Sequence, residues 1–264
     1  VAHTAKNTLE CLIFDVDGTL ADTERNGHRL AFNTAFAEYG LNWHWDERLY
    51  GDLLAVTGGK ERIRHYQDKF LGKRILSDAD IARLHARKTE AYVQLLQSGK
   101  IPLRPGVKRL IESAREAGLT LAIATTTTPV NVTALLENTL GPGSIDWFQV
   151  IAAGDIVSAK KPAPDIYHLV LKETGLTAGQ CLALEDSRAG LLSAVNAGVP
   201  TLVTFNAYTR QQDFSEALAV TDHLGEVDNP CQVTAGPTAQ GYIDLPYLKR
   251  LVSMTFQQGA HHVC

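Results

Sequence analysis

Two short apolar runs, each closed by acids, constrain this chain more than anything else in it. Cys11-Leu12-Ile13-Phe14 leads into Asp15-Val16-Asp17-Gly18-Thr19, and Cys181-Leu182-Ala183-Leu184 leads into Glu185-Asp186-Ser187. An unbroken apolar run of this length, with a glycine or acids just beyond it, reads as a strand buried on both faces. Two such strands ending in paired acids predict one site with four negative charges, Asp15, Asp17, Glu185 and Asp186. Such a site repels itself unless a cation sits in it. The chain therefore points to Mg2+ before it points to any substrate.

The remaining patterns place these strands in an α/β fold. Strands are predicted at 11–16, 119–124, 148–152, 182–184 and 201–205. Helices are predicted between them, at Pro105 to Gly118 with Val107, Leu110, Ile111 and Ala114 on one face, at 130–140, at 164–174 and at 188–197. Alternating strands and helices with short turns argue for a Rossmann-like parallel sheet covered on both faces. Residues 23–97 read as helices only, the last opening at Ser77. The first strand belongs to the alternating part, so the helical block is an insertion. The expected division is a core of residues 1–22 and 98–264 and a helical cap of residues 23–97. Beyond 207 the pattern weakens; 225–241, with its glycines and prolines, reads as a loop or insertion, and 247–256 as a final helix.

Composition removes several classes of function. A net charge of -4 offers no basic footprint for nucleic acid. No segment is long and apolar enough to cross a bilayer, and residues 1–10 lack the apolar centre of a secretory signal. The four cysteines, Cys11, Cys181, Cys231 and Cys264, have no C-x-x-C spacing, so free thiols in a reduced, cytoplasmic setting are expected. The nine histidines have no metal-ligand spacing, and His261-His262 fall in a tail expected to be loose.

Function in open parallel sheets gathers at the carboxyl ends of the strands. Asp15 is the candidate nucleophile, because a carboxylate can attack phosphorus. Asp17, two residues on and facing the same side of an extended chain, is the candidate general acid and base. Asp-Gly is also a common turn pair. Thr125, Thr126 and Thr127 follow a strand and precede Pro129, where hydroxyls and helix N–H groups can hold phosphoryl oxygens; the same residues also suit a plain helix N-terminus. Lys161, directly before Pro162, is preferred over Lys160 as the cation that keeps the nucleophile ionised, although most loop lysines are merely solvated. Glu185 and Asp186 would complete a magnesium shell, and Ser187 would cap the next helix; an acidic helix start favoured by the dipole is the simpler alternative.

In this order and spacing, Asp15-Val16-Asp17-Gly18-Thr19, Thr125, Lys161-Pro162 and Glu185-Asp186 resemble the four motifs of the haloacid-dehalogenase-type phosphatase superfamily. The resemblance implies Mg2+, an aspartyl-phosphate intermediate and a metal bond from the backbone carbonyl of Asp17. The insertion after the first motif resembles the helical cap of the β-phosphoglucomutase-like branch. Substrate choice would then lie in Thr57-Gly58-Gly59-Lys60-Glu61-Arg62. There two glycines let the backbone approach an anion, and Lys60 and Arg62 supply charge for a second, non-reacting phosphate. The loop also fits a simple helix connection with surface charges. Glu24 would accept bonds from sugar hydroxyls, with Tyr50, Arg25 and His28 as further candidates. Together with Asp22-Thr23-Glu24, the Ala124-Thr125-Thr126-Thr127 strand end and Lys160-Lys161-Pro162-Ala163-Pro164-Asp165-Ile166-Tyr167, this loop is similar to the pattern of the CbbY-type phosphatases. These remove the 1-phosphate of xylulose 1,5-bisphosphate, a misfire product and inhibitor of Rubisco, the carboxylase of the Calvin cycle.

The leading expectation is a monomeric Mg2+-dependent phosphatase acting on a small phosphorylated sugar, most specifically a bisphosphate. A sugar phosphomutase shares core and cap and differs in whether water or a sugar hydroxyl receives the phosphoryl group; the motif residues do not separate these acceptors. Displacement of halide would leave the acids around Asp15 unexplained. Phosphonate cleavage would require Lys60 to form a Schiff base beside Arg62. A non-catalytic phosphosugar-binding module would have no use for all four motifs.

Overall fold

The structure is a computed structural model that describes residues 8–259, with side chains to residue 254. Residues 1–7, His261-His262 and Cys264 lie outside the described residues. The chain opens with β1 (Cys11–Phe14), every residue of which is buried. A π-helical turn (Glu24–His28) then leads into α1 (Arg29–Glu38), followed by α2 (Glu47–Leu53), α3 (Gly59–Tyr66) and the long α4 (Asp78–Gln97). The α/β alternation resumes with α5 (Val107–Glu116), β2 (Thr120–Thr125), α6 (Pro129–Thr139), β3 (Val150–Ala153), α7 (Asp165–Thr174), β4 (Cys181–Glu185), α8 (Arg188–Asn196) and β5 (Thr201–Thr204). β6 (Ala219–Thr221), β7 (Val233–Ala235) and α9 (Leu245–Gly259) complete the chain.

The seven strands form one sheet in the order β3-β2-β1-β4-β5-β6-β7, parallel throughout except for β7 against β6. Strand order reverses between β2 and β4, on either side of β1. Crevices for ligands form at such a reversal, beyond the carboxyl ends of the strands. Local chemistry explains most element starts. Ser77 and Asp80 close a reciprocal capping box on α4. Pro129 occupies the first turn of α6, where its missing N–H costs nothing. Val107, Leu110, Ile111 and Ala114 on α5 are all buried, as their spacing predicts.

Two kinds of apolar packing result, aliphatic around the sheet and aromatic in the helical block. The sheet is covered by aliphatic side chains such as Leu12, Ile123, Leu184 and Leu248. The helical block between β1 and α5 has its own centre of rings, in which Phe32, Phe36, Trp43, Trp45, Tyr50 and Tyr66 pack together. The block is tied to the sheet by Ala31, Ala91, Tyr92, Leu96 and Ile101, which join the aliphatic core. Cys11 and Cys181 are in-register neighbours on β1 and β4, both free and buried, and act as small apolar residues. Among the described residues no helix is long and apolar enough to cross a membrane.

Two parts of the fold depart from the sequence pattern. The stretch 225–241 is not wholly loop: it contains β7, one of the two edge strands, and its partner β6 was not anticipated either. Each has three residues, too few for alternation to register, and β7 is largely exposed, so no apolar pattern marks it. The first strand also ends at Phe14, not Val16. From Val16 the chain turns back on itself, with Leu20 N–H donating to Val16 O (2.9 Å) and Gly18 N–H to Ala21 O (2.9 Å).

Candidate active site

The tips of β2, β1 and β4 lie side by side and carry Thr125, Asp15 and Glu185-Asp186. Lys161, from the loop between β3 and α7, reaches into the middle. Its ammonium donates to Asp15 Oδ1 (2.8 Å), Glu185 Oε1 (2.6 Å) and the Ala124 carbonyl (2.8 Å). All three donors of a buried cation are thereby used, two of them on carboxylates, the arrangement that a buried charge requires. Burial disfavours the Lys161 charge, but Asp15 and Glu185 outweigh it and raise its pKa. Thr19 Oγ1 donates to the other oxygen of Asp15 (3.2 Å), and Tyr167 OH donates to Glu185 Oε1 (2.5 Å).

Three carboxylates, not four, converge. Asp15, Glu185 and Asp186 are buried and offer oxygens that all lie within 4.8 Å of one another. Burial, opposed by Lys161 and reinforced by Glu185, pushes Asp15 up to about 7. Burial together with Asp15 and Glu185 pushes Asp186 well above the usual carboxylate range. A cluster that resists its own ionisation, built from hard oxygen donors, fits a divalent cation of the Mg2+ kind.

Asp17 turns its carboxylate elsewhere, because the chain leaves the extended form after Phe14. Its Oδ1 lies 2.8 Å from His28 Nε2 and accepts from Thr23 Oγ1 (2.6 Å). His28 Nδ1 lies 2.8 Å from Lys88 Nζ. Burial alone would raise Asp17, but His28, Thr23 and Lys88 overcome it and hold it at about 2. Burial draws Lys88 down to about 8, against Asp17 and Glu24. The π-helical turn carries both Glu24 and His28 and delivers them to this edge of the site; π-turns of this kind recur at functional positions.

The helical block faces these strand tips across a cleft. One cavity of about 390 Å3 holds Asp15, Asp17, Thr125, Thr126, Lys161 and Asp186 on the sheet side, and Glu24, Gly58 and Arg62 opposite. A neighbouring cavity of about 210 Å3 shares Asp17, Glu24, Gly58, Arg62 and Thr126, and adds Gly59, Lys60, His85, Lys88, Thr127, Asn131 and Lys160. The second gathers four cations, Lys60, Arg62, Lys88 and Lys160, against three carboxylates, Asp17, Glu24 and Asp155. It also receives the N-terminal end of α6, where Thr128 Oγ1 and Asn131 Oδ1 are buried without a partner.

The other anticipated residues are distributed as follows. Tyr50 OH donates to Glu24 and accepts from Arg62 Nη1 (2.9 Å). Arg62 is buried and also donates to the carbonyls of Leu53 (3.2 Å) and Val56 (3.3 Å), so much of its fork is already engaged inside the block. Lys60 Nζ crosses to Asp155 Oδ2 (2.7 Å). Gly58 has φ +96°, and a side chain there would run into Glu61 and Lys160. Gly59 opens α3, and Thr127 Oγ1 accepts from Asn131 Nδ2 (3.0 Å). Arg25 pairs with Glu47 (2.8 Å) and lines neither cavity. Ser187 accepts from Gly190 N–H (3.2 Å) and caps α8, as expected.

Several residues went unread in the sequence. Lys88 had a signal, since it occupies an apolar-stripe position of α4 between the buried Leu84 and Ala91. Asn206 donates to Asp186 Oδ2 (2.7 Å), and Tyr167 holds Glu185; neither spacing hints at this. Arg104 is buried and donates to the carbonyls of Thr204 (2.8 Å) and Phe205 (2.6 Å), and to those of Gly18 and Asp222. It thereby pins the returning connection of the helical block to three strand tips.

The family profile of the haloacid dehalogenase-like hydrolases matches residues 9–198. The chain belongs to this family of hydrolases, as the four motifs implied. It is 53% identical to protein CbbY of Rhodobacter capsulatus over 209 residues, 79% of this chain and 91% of that protein. It is 48% identical to the plasmid protein CbbY of Cupriavidus necator over 249 residues, 91% and 96% of the two chains. A mutant of CbbY from Rhodobacter sphaeroides, solved in complex with xylulose 1,5-bisphosphate, superimposes with a TM-score of 0.77 at 44% identity. That match covers 83% of this chain and 98% of that one.

Proposed function

We propose that this protein is a Mg2+-dependent phosphatase that converts xylulose 1,5-bisphosphate to xylulose 5-phosphate through an aspartyl phosphate on Asp15. The observation that carries the reading is a two-chambered cleft, with a lysine-held nucleophile in one chamber and a cluster of cations in the next. A relative with 44% identity binding this bisphosphate supports the choice of sugar. In this reading residues 23–97 are a cap and residues 1–22 and 98–264 the catalytic core.

Asp15 attacks phosphorus with the oxygen that Lys161 does not hold, and the bond from phosphorus to the sugar oxygen breaks. Asp17 gives that oxygen a proton; the charge of a phosphate beside it raises its pKa from the low value set by His28 and Thr23. Asp17 then accepts a proton from the water that attacks the phosphorylated Asp15, and inorganic phosphate leaves. Thr125 to Thr127, at the start of α6, bind phosphoryl oxygens. Asp15 and Asp186, with Glu185 behind them and the Asp17 carbonyl as the resemblance implies, would hold Mg2+. The bound ion supplies neutralisation of phosphoryl charge and alignment of the phosphorus with Asp15. The remote phosphate sits in the second chamber, where its binding energy favours closure over the reacting group.

The test is phosphate release from a panel of sugar mono- and bisphosphates. Strong preference for xylulose 1,5-bisphosphate is expected, and equal turnover of monophosphates would sink the second-phosphate assignment. Incubation with a hexose 1-phosphate and a bisphosphate primer checks the mutase alternative; free phosphate without isomerised sugar is expected.

A further inference from the structure

Three carboxylates, Asp17, Glu24 and Asp155, line the second chamber with the wrong sign for a phosphate site, and of these Asp155 is the one paired with Lys60. Asp155, in the loop after β3, lies in the wall beside Lys60 and Lys160. Its Oδ2 accepts from Lys60 Nζ (2.7 Å), across the cleft, and its Oδ1 lies 2.9 Å from Lys160 Nζ. Lys160 also crosses the cleft, to Glu61 Oε1 (3.1 Å). The two lysines thus differ in their alternatives. Without Asp155, Lys160 still has Glu61, whereas Lys60 has no other anion within ion-pair distance among the described residues. Asp155 itself keeps Lys160 if Lys60 leaves.

We infer that Asp155 is a specificity-determining residue that competes with the substrate's second phosphate for Lys60. This rests on the proposed reading of the site as a bisphosphate pocket. A phosphate dianion carries more charge than a carboxylate and takes more donors, so it wins the ammonium when it is delivered as part of a substrate anchored at Asp15. A free anion lacks that anchor and loses to a carboxylate already in place. The two lysines hold Asp155 ionised at about 2, so it competes at every working pH. The Lys60 and Asp155 side chains are 32% and 58% exposed, and an ion pair so solvated is weak enough to exchange.

The experiment is steady-state kinetics with xylulose 1,5-bisphosphate, with inorganic phosphate as competing inhibitor, on wild type, Asp155→Asn, Lys60→Ala and the double variant. Asp155→Asn is expected to lower KM roughly two- to fivefold, the factor that an exposed pair is worth, with a smaller change in kcat. Inhibition by inorganic phosphate should tighten by a similar factor. In the Lys60→Ala background the same substitution should change neither quantity. Asp155→Ala, checked by thermal melting for an intact fold, should move both in the same direction. A rise in KM for Asp155→Asn would overturn the inference and make the cross-cleft pairs a clasp that holds the cleft shut. An unchanged KM, with Lys60→Ala still impaired, would also overturn it while leaving the bisphosphate pocket standing. If Lys60→Ala matches wild type, the pocket assignment itself fails and the inference goes with it.

Discussion

Lys160 and Lys161 are neighbours in the chain and do opposite things. Lys161 sits between Asp15 and Glu185 with all three side chains at most 10% exposed. Lys160 sits between Glu61 and Asp155, in a network whose acids are 38% and 58% exposed. The bonds are of similar length, so the difference is the medium. In a buried setting an unmatched charge is costly and the geometry is held; near water the same pair is screened and exchanges readily. The sheet tips thus provide a permanent arrangement of charge, suited to chemistry. The cleft-facing side of the helical block provides a replaceable one, suited to recognising a ligand.

The sharpest attempt to break this contrast is Asp15→Asn, expected to lower phosphate release by at least about 10³-fold while the fold survives, as read by thermal melting. Lys161→Met should reduce activity comparably and also cost about 3–5 kcal/mol in denaturant unfolding, because it strands two buried carboxylates. Magnesium affinity provides a pH test of the same cluster. Burial holds Asp15 up to about 7 without metal, so proton and ion compete for it. Affinity measured by calorimetry should rise at least about tenfold per unit as pH approaches 7 from below, since the ion displaces the protons that burial keeps on both Asp15 and Asp186. Lys60→Ala should raise the KM for the bisphosphate about tenfold and leave monophosphate kinetics near wild type, a change confined to the exchangeable side. Smallest of all, Ser77→Ala should remove the cap of α4, cost about 1 kcal/mol, and leave kcat unchanged.

The two regions were also unequally legible. β1 and β4 could be read because strands buried on both faces leave an unbroken apolar run, and their ends are marked by acids that such a run excludes. Thr125, Lys161, Glu185 and Asp186 followed from strand ends and a rigid proline loop, both local features. The direction of Asp17 did not follow, since it depends on a backbone reversal at Gly18, whose φ is +90°. The partner of Lys60 was equally hidden, because Asp155 lies 95 residues away.

Which residues carry charge, which runs must be buried and where the helices begin were determined by the sequence alone, because burial, capping and turn formation are local in origin. Which acids meet, which lysine is locked and which is exchangeable, and that His28 and Lys88 stand behind Asp17 were decided only by tertiary structure. A charge takes its behaviour from the dielectric and the partners that packing brings to it, and distant segments of the chain supply both.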